Sequence, residues 1–133
     1  MITNIPPQKN IAKAALQSYF SISEHWNLSE VEERQLLGSP ATLIFQKWKT
    51  EKAAISLDQD TILRISYLLG IYKALHLLLP SAQAANAWMR KPNSEPRFGG
   101  ESAINLLLKG DLTQFSELRQ YLDAQCDDYD RSE

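Results

Sequence analysis

The chain has 133 residues, 44% of them hydrophobic and 23% charged, with a formal net charge of -2. That length holds one domain, or two small lobes sharing a helix, and the composition excludes a disordered chain while the near-neutral balance points to no class of partner. The single cysteine, Cys126, excludes a disulfide framework and a thiolate metal site, and a polar start around Pro6-Pro7 with no apolar run near the ~20 residues of a membrane span makes a cytoplasmic protein without membrane contact the expectation.

Apolar residues recur at helical spacing and never alternate, so the expected fold class is all-α, without repeats or low-complexity segments. Ile11, Ala15, Tyr19, Ile22 and Trp26 predict a first helix with one inward stripe, broken at Asn27-Leu28. Ser29 followed by Glu32 is a capping box, which starts a short second helix of about Glu30 to Leu37 that Gly38 stops. Ser39 as N-cap and Pro40 at the first helical position then open a third helix to about Thr50. It is expected to bury Leu43 and Trp48 or their neighbours and to leave Thr42, Gln46, Lys47 and Lys49 to solvent. Two short helices across a tight Gly-Ser turn describe a helix-turn-helix.

Ser56 with Gln59, or Asp58 alone, caps a long fourth helix on which Ile62, Ile65, Leu69, Tyr72 and His76 face one way, ended by Pro80. It is the expected link between an N-terminal helix-turn-helix bundle over residues 1–60 and a small helical domain over 61–133. Ser81 caps a fifth helix through Trp88 to Arg90, and Ser102 to Lys109 makes a short sixth that Gly110 stops. Asp111 with Gln114 caps a seventh, with Phe115, Leu118 and Leu122 inward. Asp123, Asp127, Asp128, Asp130 and Glu133 crowd the end and read most simply as a frayed, solvated tail.

Little here supports catalysis. The histidines are His25, at a helix end, and His76, on an apolar stripe, where a hydrogen-bonded core histidine is far commoner than a ligand without neighbours. No serine has a nucleophile-elbow context, no ligands stand at metal spacing, and Gly99-Gly100 lacks the strand and the Gly-Lys-Ser/Thr of a phosphate cradle. No enzyme activity, metal or cofactor is expected.

Two segments remain. In a helix-turn-helix the second helix meets base edges and nearby lysines meet phosphates. Thr42, Gln46 and Lys47 fit the first role, Lys49 and Lys52 the second. The same layout also occurs in plain helical bundles, where three lysines merely solvate a face, and Glu30, Glu32 and Glu33 oppose a basic patch. The other segment is the non-periodic run from Trp88 to Gly110. Pro92 and Pro96 stiffen it and Gly99-Gly100 permits positive φ, which can hold Arg90, Lys91, Arg97 and Phe98 in fixed directions towards a partner. The alternative is a long connection whose Trp88 and Phe98 tuck into their own core.

Five strings stand in order in the second half of the chain: Leu69-Gly70-Ile71-Tyr72-Lys73-Ala74-Leu75, Trp88-Met-Arg-Lys-Pro-Asn93, Phe98-Gly99-Gly100, Leu106-Leu107-Leu108-Lys109-Gly110 and Arg119-Gln120-Tyr121-Leu122-Asp123-Ala124. From Ile65 to Gln125 the chain resembles the Xre/MbcA/ParS-like antitoxins of bacterial type II toxin–antitoxin systems, in their toxin-binding domain. Gln8 to Ile55 is similar to the family's helix-turn-helix in layout and around Trp48. The family usually has a basic residue after the Gly-Gly pair, where this chain has Glu101, and often a basic or Gly-rich ending where it has Cys126-Asp127-Asp128. The resemblance implies an antitoxin that occludes a cognate RES-domain, NAD-destroying toxin and represses its own operon through operator DNA. NAD would be the toxin's substrate, not a cofactor of this chain. It also implies toxin contacts centred on Trp88, Arg90, Pro92, Asn93, Phe98, Gly99 and Gly100, with Asp123 and the segment after it as an addition. A homodimer is expected, because a single short recognition helix supplies too few contacts for a useful specificity ratio. A toxin-independent regulator, and a toxin-binding protein that does not bind DNA, are the alternatives.

Overall fold

The computed structural model describes residues 7–54, 56–109 and 111–131. Among them it is all-α, with seven helices: α1 Pro7–His25, α2 Glu30–Leu36, α3 Thr42–Glu51, α4 Gln59–Leu78, α5 Ala82–Trp88, α6 Ala103–Lys109 and α7 Leu112–Arg131. The stop expected at Gly110 lies outside the described residues. The chain divides into two compact units, one up to Ser66 and one from Tyr67, with the division inside α4.

In the first unit, α1 buries Ala12, Leu16, Tyr19, Phe20, Ile22 and Trp26. Its stripe is therefore rotated from the expected one, and Ile11 stands 54% exposed. The helix ends where Asn27 turns to positive φ. The Ser29–Glu32 capping box is present in both directions, with Glu32 N–H donating to Ser29 Oγ at 3.2 Å and Ser29 N–H to Glu32 Oε1 at 2.9 Å. Gly38 follows α2 with φ +95° beneath the Asp60–Arg64 ion pair, which a Cβ there would approach to 3.1 Å.

The expected start of the third helix needs correcting. Ser39 adopts positive φ and caps nothing, Pro40 lies outside the helix, and Ala41 is the N-cap without a side-chain bond. The competing partner is Arg34, whose Nε donates to the Pro40 carbonyl at 2.6 Å and holds the turn open for two more residues. Leu43 is likewise 85% exposed, and Phe45 is the residue α3 buries, 6.2 Å from the Phe20 ring.

A buried carboxylate joins the three helices. Glu33, 5% exposed on α2, accepts from Ser23 of α1 at 2.5 Å and from Lys49 of α3 at 2.7 Å, while its backbone carbonyl accepts from Tyr19 OH at 2.7 Å. Pairing and hydrogen bonding offset the desolvation that an isolated carboxylate would suffer there. Burial, then the neighbouring Glu33 and Glu32, pushes the Tyr19 phenol well above its ordinary pKa.

Asp58 caps α4, accepting from the Thr61 N–H at 2.8 Å. That hydrogen-bonded role holds its carboxyl below the usual range. The buried face of α4 is Thr61, Ile65, Leu68, Ile71 and Leu75, so Leu69, expected inside, is 37% exposed. By length and composition α4 passes as a membrane span, contrary to the sequence expectation; core helices of soluble proteins pass the same test. In the second unit Ser81 and Ser102 cap α5 and α6, and Asp111 accepts from Thr113 N–H at the start of α7. Phe115, Leu118 and Leu122 are buried as expected; α7 runs helical to Arg131 with Asp123, Asp127 and Asp128 exposed, and Glu133 lies outside the described residues.

Candidate functional site

On α3 the side chains divide by helical angle. Phe45, Gln46 and Lys49 lie on the side turned to α1 and α2. There Gln46 Nε2 donates to Glu30 Oε1 at 2.6 Å, and Lys49 Nζ lies 3.3 Å from Glu30 and 2.7 Å from Glu33. These bonds hold the Glu30 carboxyl below its ordinary pKa, and the Glu33 hydrogen bond raises that of Lys49. Two of the five residues expected to meet DNA thus satisfy carboxylates of their own unit. Lys52 caps the helix in left-handed geometry with its ammonium 6.0 Å from the Phe20 ring centroid. Thr42 and Lys47 are exposed. Up to Ser66 the chain carries seven Lys and Arg against seven Asp and Glu, so this unit has no net charge to attract a polyanion.

The second candidate is the loop after α5. Asn93 closes its neck: its N–H donates to the Glu101 carbonyl at 3.1 Å, its carbonyl accepts from Gly100 N–H at 3.0 Å, and its side-chain oxygen accepts from Glu95 N–H at 2.9 Å. The last is an Asx turn, which prefers the type of residue found there. Met89, fully buried, anchors the α5 side, and its carbonyl accepts from Ile104 N–H at the start of α6. Glu101 is held by Lys109 at 2.5 and 2.6 Å.

Phe98 is the wedge. It is 2% exposed, edge-on to Trp88 at 5.8 Å and to Tyr121 of α7 at 5.9 Å. The ring expected as a toxin contact is thus enclosed within its own unit, beneath the outward residues of the loop. Arg97 is also held from within, its guanidinium 5.1 Å from the Tyr121 ring centroid and 3.8 Å from Glu117. What faces outward is Arg90, Lys91, Pro92, Gly99 and Gly100, with Trp88 and Asn93 half-exposed. Gly99 and Gly100 have φ +57° and +85° with no neighbouring atoms, so the backbone conformation is the reason for glycine there. Asp123 is exposed and 3.5 Å from Arg119. At Gly70 the reason for glycine is space, since a Cβ would overlap the Arg119 guanidinium laid across α4.

The structure therefore gathers Trp88, Asn93, Arg97 and Phe98 into one supported loop and displays Arg90 to Pro92 beside the Gly-Gly pair. Sequence reading missed Met89, Glu117 and Tyr121. Tyr121 follows Leu118 by three residues and was legible as part of the inward face of α7, whereas the Glu117–Arg97 pairing joins two segments with no common periodicity. Among the described residues no three His, Cys, Asp or Glu side chains gather to hold a metal.

Residues 74–125 match the antitoxin Xre/MbcA/ParS C-terminal toxin-binding domain, a span that contains the whole loop together with its Tyr121 and Glu117 supports. The chain is also similar to the uncharacterized protein y4oB of Sinorhizobium fredii (strain NBRC 101917 / NGR234), 42% identical over 112 residues that make up 84% of each chain. No solved structure matches.

Proposed function

Because the chain belongs to the Xre/MbcA/ParS antitoxin family, whose C-terminal toxin-binding domain it carries, we propose that it neutralises a cognate toxin by occlusion, inserting the loop from Trp88 to Gly100 into the toxin's active site without catalysis of its own. The family match over residues 74–125 carries this reading. Asn93 and the Phe98 wedge present Arg90, Lys91 and Pro92 in a preset conformation, which lowers the ordering cost of binding. The toxin is a RES-domain protein that destroys NAD, and an arginine on a stiff loop suits a cavity shaped for phosphate and carboxylate groups. Asp123 extends the contact surface. The protein works in the cytoplasm.

The N-terminal unit represses the operon as a homodimer on operator DNA, with Thr42, Lys47 and Lys52 as contacts. A second reading, toxin binding without DNA binding, is favoured by one observation: Gln46 and Lys49 are tied to Glu30 and Glu33 in a unit of zero net charge. Co-expression with the product of the adjacent gene tests the main reading. Co-purification and loss of NAD-degrading activity are expected, with weaker inhibition by Arg90→Ala at unchanged helicity. No complex between two folded proteins at micromolar concentration refutes it. A mobility-shift assay on the upstream promoter at low salt, where phosphate contacts are strongest, separates the two readings of the N-terminal unit.

A further inference from the structure

Pro96 and Arg97 are the two inner residues of a tight turn, closed where Phe98 N–H donates to the Glu95 carbonyl at 2.9 Å; the Phe98 carbonyl in turn accepts from Glu101 N–H at 3.0 Å. The proline ring fixes φ before Arg97, and burial of the Phe98 ring fixes the residue after it. The freedom that remains lies in the Arg97 side chain, and α7 takes it up. Glu117 and Tyr121 stand one turn apart on that helix, the guanidinium lying 5.1 Å from the Tyr121 ring centroid and 3.8 Å from the Glu117 carboxylate. Neither contact consumes a donor, because a ring attracts the cation through its face and 3.8 Å is too long for a hydrogen bond. An arginine carries five N–H groups. Among the described residues none of those on Arg97 donates to an acceptor, and the side chain is 37% exposed.

We infer that Arg97 grips a carboxylate of the cognate toxin through its guanidinium fork, and that Tyr121 is the positioning residue that aims it. Two parallel N–H···O bonds to a carboxylate require the fork to arrive in one plane and one direction. A side chain free to sample its rotamers loses that freedom on binding, which weakens association by about 3- to 10-fold, whereas one already lying against a ring loses less. Tyr121 also meets the Phe98 ring edge-on at 5.9 Å, so the side chain that aims Arg97 rests on the wedge beneath the loop. Glu117, 48% exposed and out of hydrogen-bonding range, balances the charge in the free protein and leaves the fork open to a better placed acceptor. A protein supplies fixed oxyanions as Asp and Glu side chains, which makes a carboxylate the acceptor in the toxin.

This rests on the antitoxin reading of the proposed function and deepens it. Titration calorimetry of the full chain against the purified product of the adjacent gene is the measurement, with circular dichroism as the folding control. Arg97→Ala is expected to weaken binding about tenfold or more. Arg97→Lys keeps the charge but loses the fork, and should recover little of that loss. Tyr121→Phe keeps the ring and should bind as wild type does, while Tyr121→Leu should weaken binding about 3- to 10-fold. Added to Arg97→Ala, Tyr121→Leu should cost little more; added to Arg90→Ala, its full loss should persist. Wild-type affinity in Arg97→Ala, or full recovery by Arg97→Lys, overturns the contact; both variants sit at an exposed position and decide it even where Tyr121→Leu fails to fold. Equal losses from Tyr121→Leu in the two backgrounds mean a general loosening of the loop and overturn the positioning role. Absence of binding by the folded wild type overturns the antitoxin reading itself, and the inference with it.

Discussion

Phe98→Ala tests whether the loop is held from beneath. The ring is 2% exposed and edge-on to two aromatic partners, Trp88 at 5.8 Å and Tyr121 at 5.9 Å. Truncating a buried phenylalanine costs about 3–5 kcal/mol, and each edge-to-face pair accounts for about 0.5–1.5 kcal/mol beyond area alone. The upper half of that range, about 4 kcal/mol, is expected, which approaches the whole stability of a small domain. Phe98→Leu keeps an apolar filler and loses the ring contacts, so about 1–2 kcal/mol is expected, a fall in melting temperature of about 4–8 °C if 1 kcal/mol corresponds to about 4 °C. Urea titration and thermal melts of the full chain measure both. The leucine variant then decides the role: an anchor leaves toxin inhibition intact at a temperature where the variant is folded, whereas a direct contact loses it. A cost below about 1 kcal/mol for the alanine variant would refute the buried wedge.

Glu33→Gln keeps the shape of the buried group but removes the charge that Lys49 neutralises, and Glu33→Ala also deprives Ser23 of its acceptor; losses of about 1–2 and 2–4 kcal/mol by urea titration are expected. Stability depends on pH at both ends. The Glu30 and Asp58 carboxyls are held below their ordinary values by hydrogen bonds, so the stability they contribute is present above the usual carboxylate range and disappears as pH falls below about 4. The Lys49 and Tyr19 groups are raised, so their contribution is complete at neutral pH and is lost as pH climbs above about 10; melts across both windows check the sign, and a flat profile above pH 10 would contradict the buried network. Gly100→Ala meets no atom within 4 Å but adopts φ +85°, so a cost of about 1 kcal/mol from backbone conformation alone is expected, with no effect on the core residues beneath.

The two halves of the protein relate differently to their family. Loop closure by Asn93, the Gly-Gly conformation and the Phe98 wedge are backbone and packing devices that many side chains around them can tolerate, and they lie inside the matched span. Arg90, Lys91 and Pro92 face outward from that frame, and Glu101 at its neck is neutralised by Lys109. In the first unit the polar side of α3 is occupied by Glu30 and Glu33, and the outward side is mixed apolar and charged.

What could be read from the residues alone was whatever depends on near neighbours in the chain. The Ser29–Glu32 box, the Asp58, Ser81 and Asp111 caps and the inward Phe115, Leu118 and Leu122 all follow from contacts within a turn or two, and each stands where it was expected. The stripes of α1 and α4 were found in kind but rotated, because periodicity sets the width of an apolar face while the packing partner chooses which edge of it is covered. Contacts between segments distant in the chain were illegible. Phe45 of α3 is buried against Phe20 of α1 while Leu43 stands exposed; Glu30 and Glu33 took Gln46 and Lys49; Tyr121 and Glu117 took Arg97 and enclosed Phe98. Local hydrogen bonding is encoded residue by residue, whereas a polar side chain's final partner is settled only when two helices meet and the cheapest way to satisfy every buried group is found.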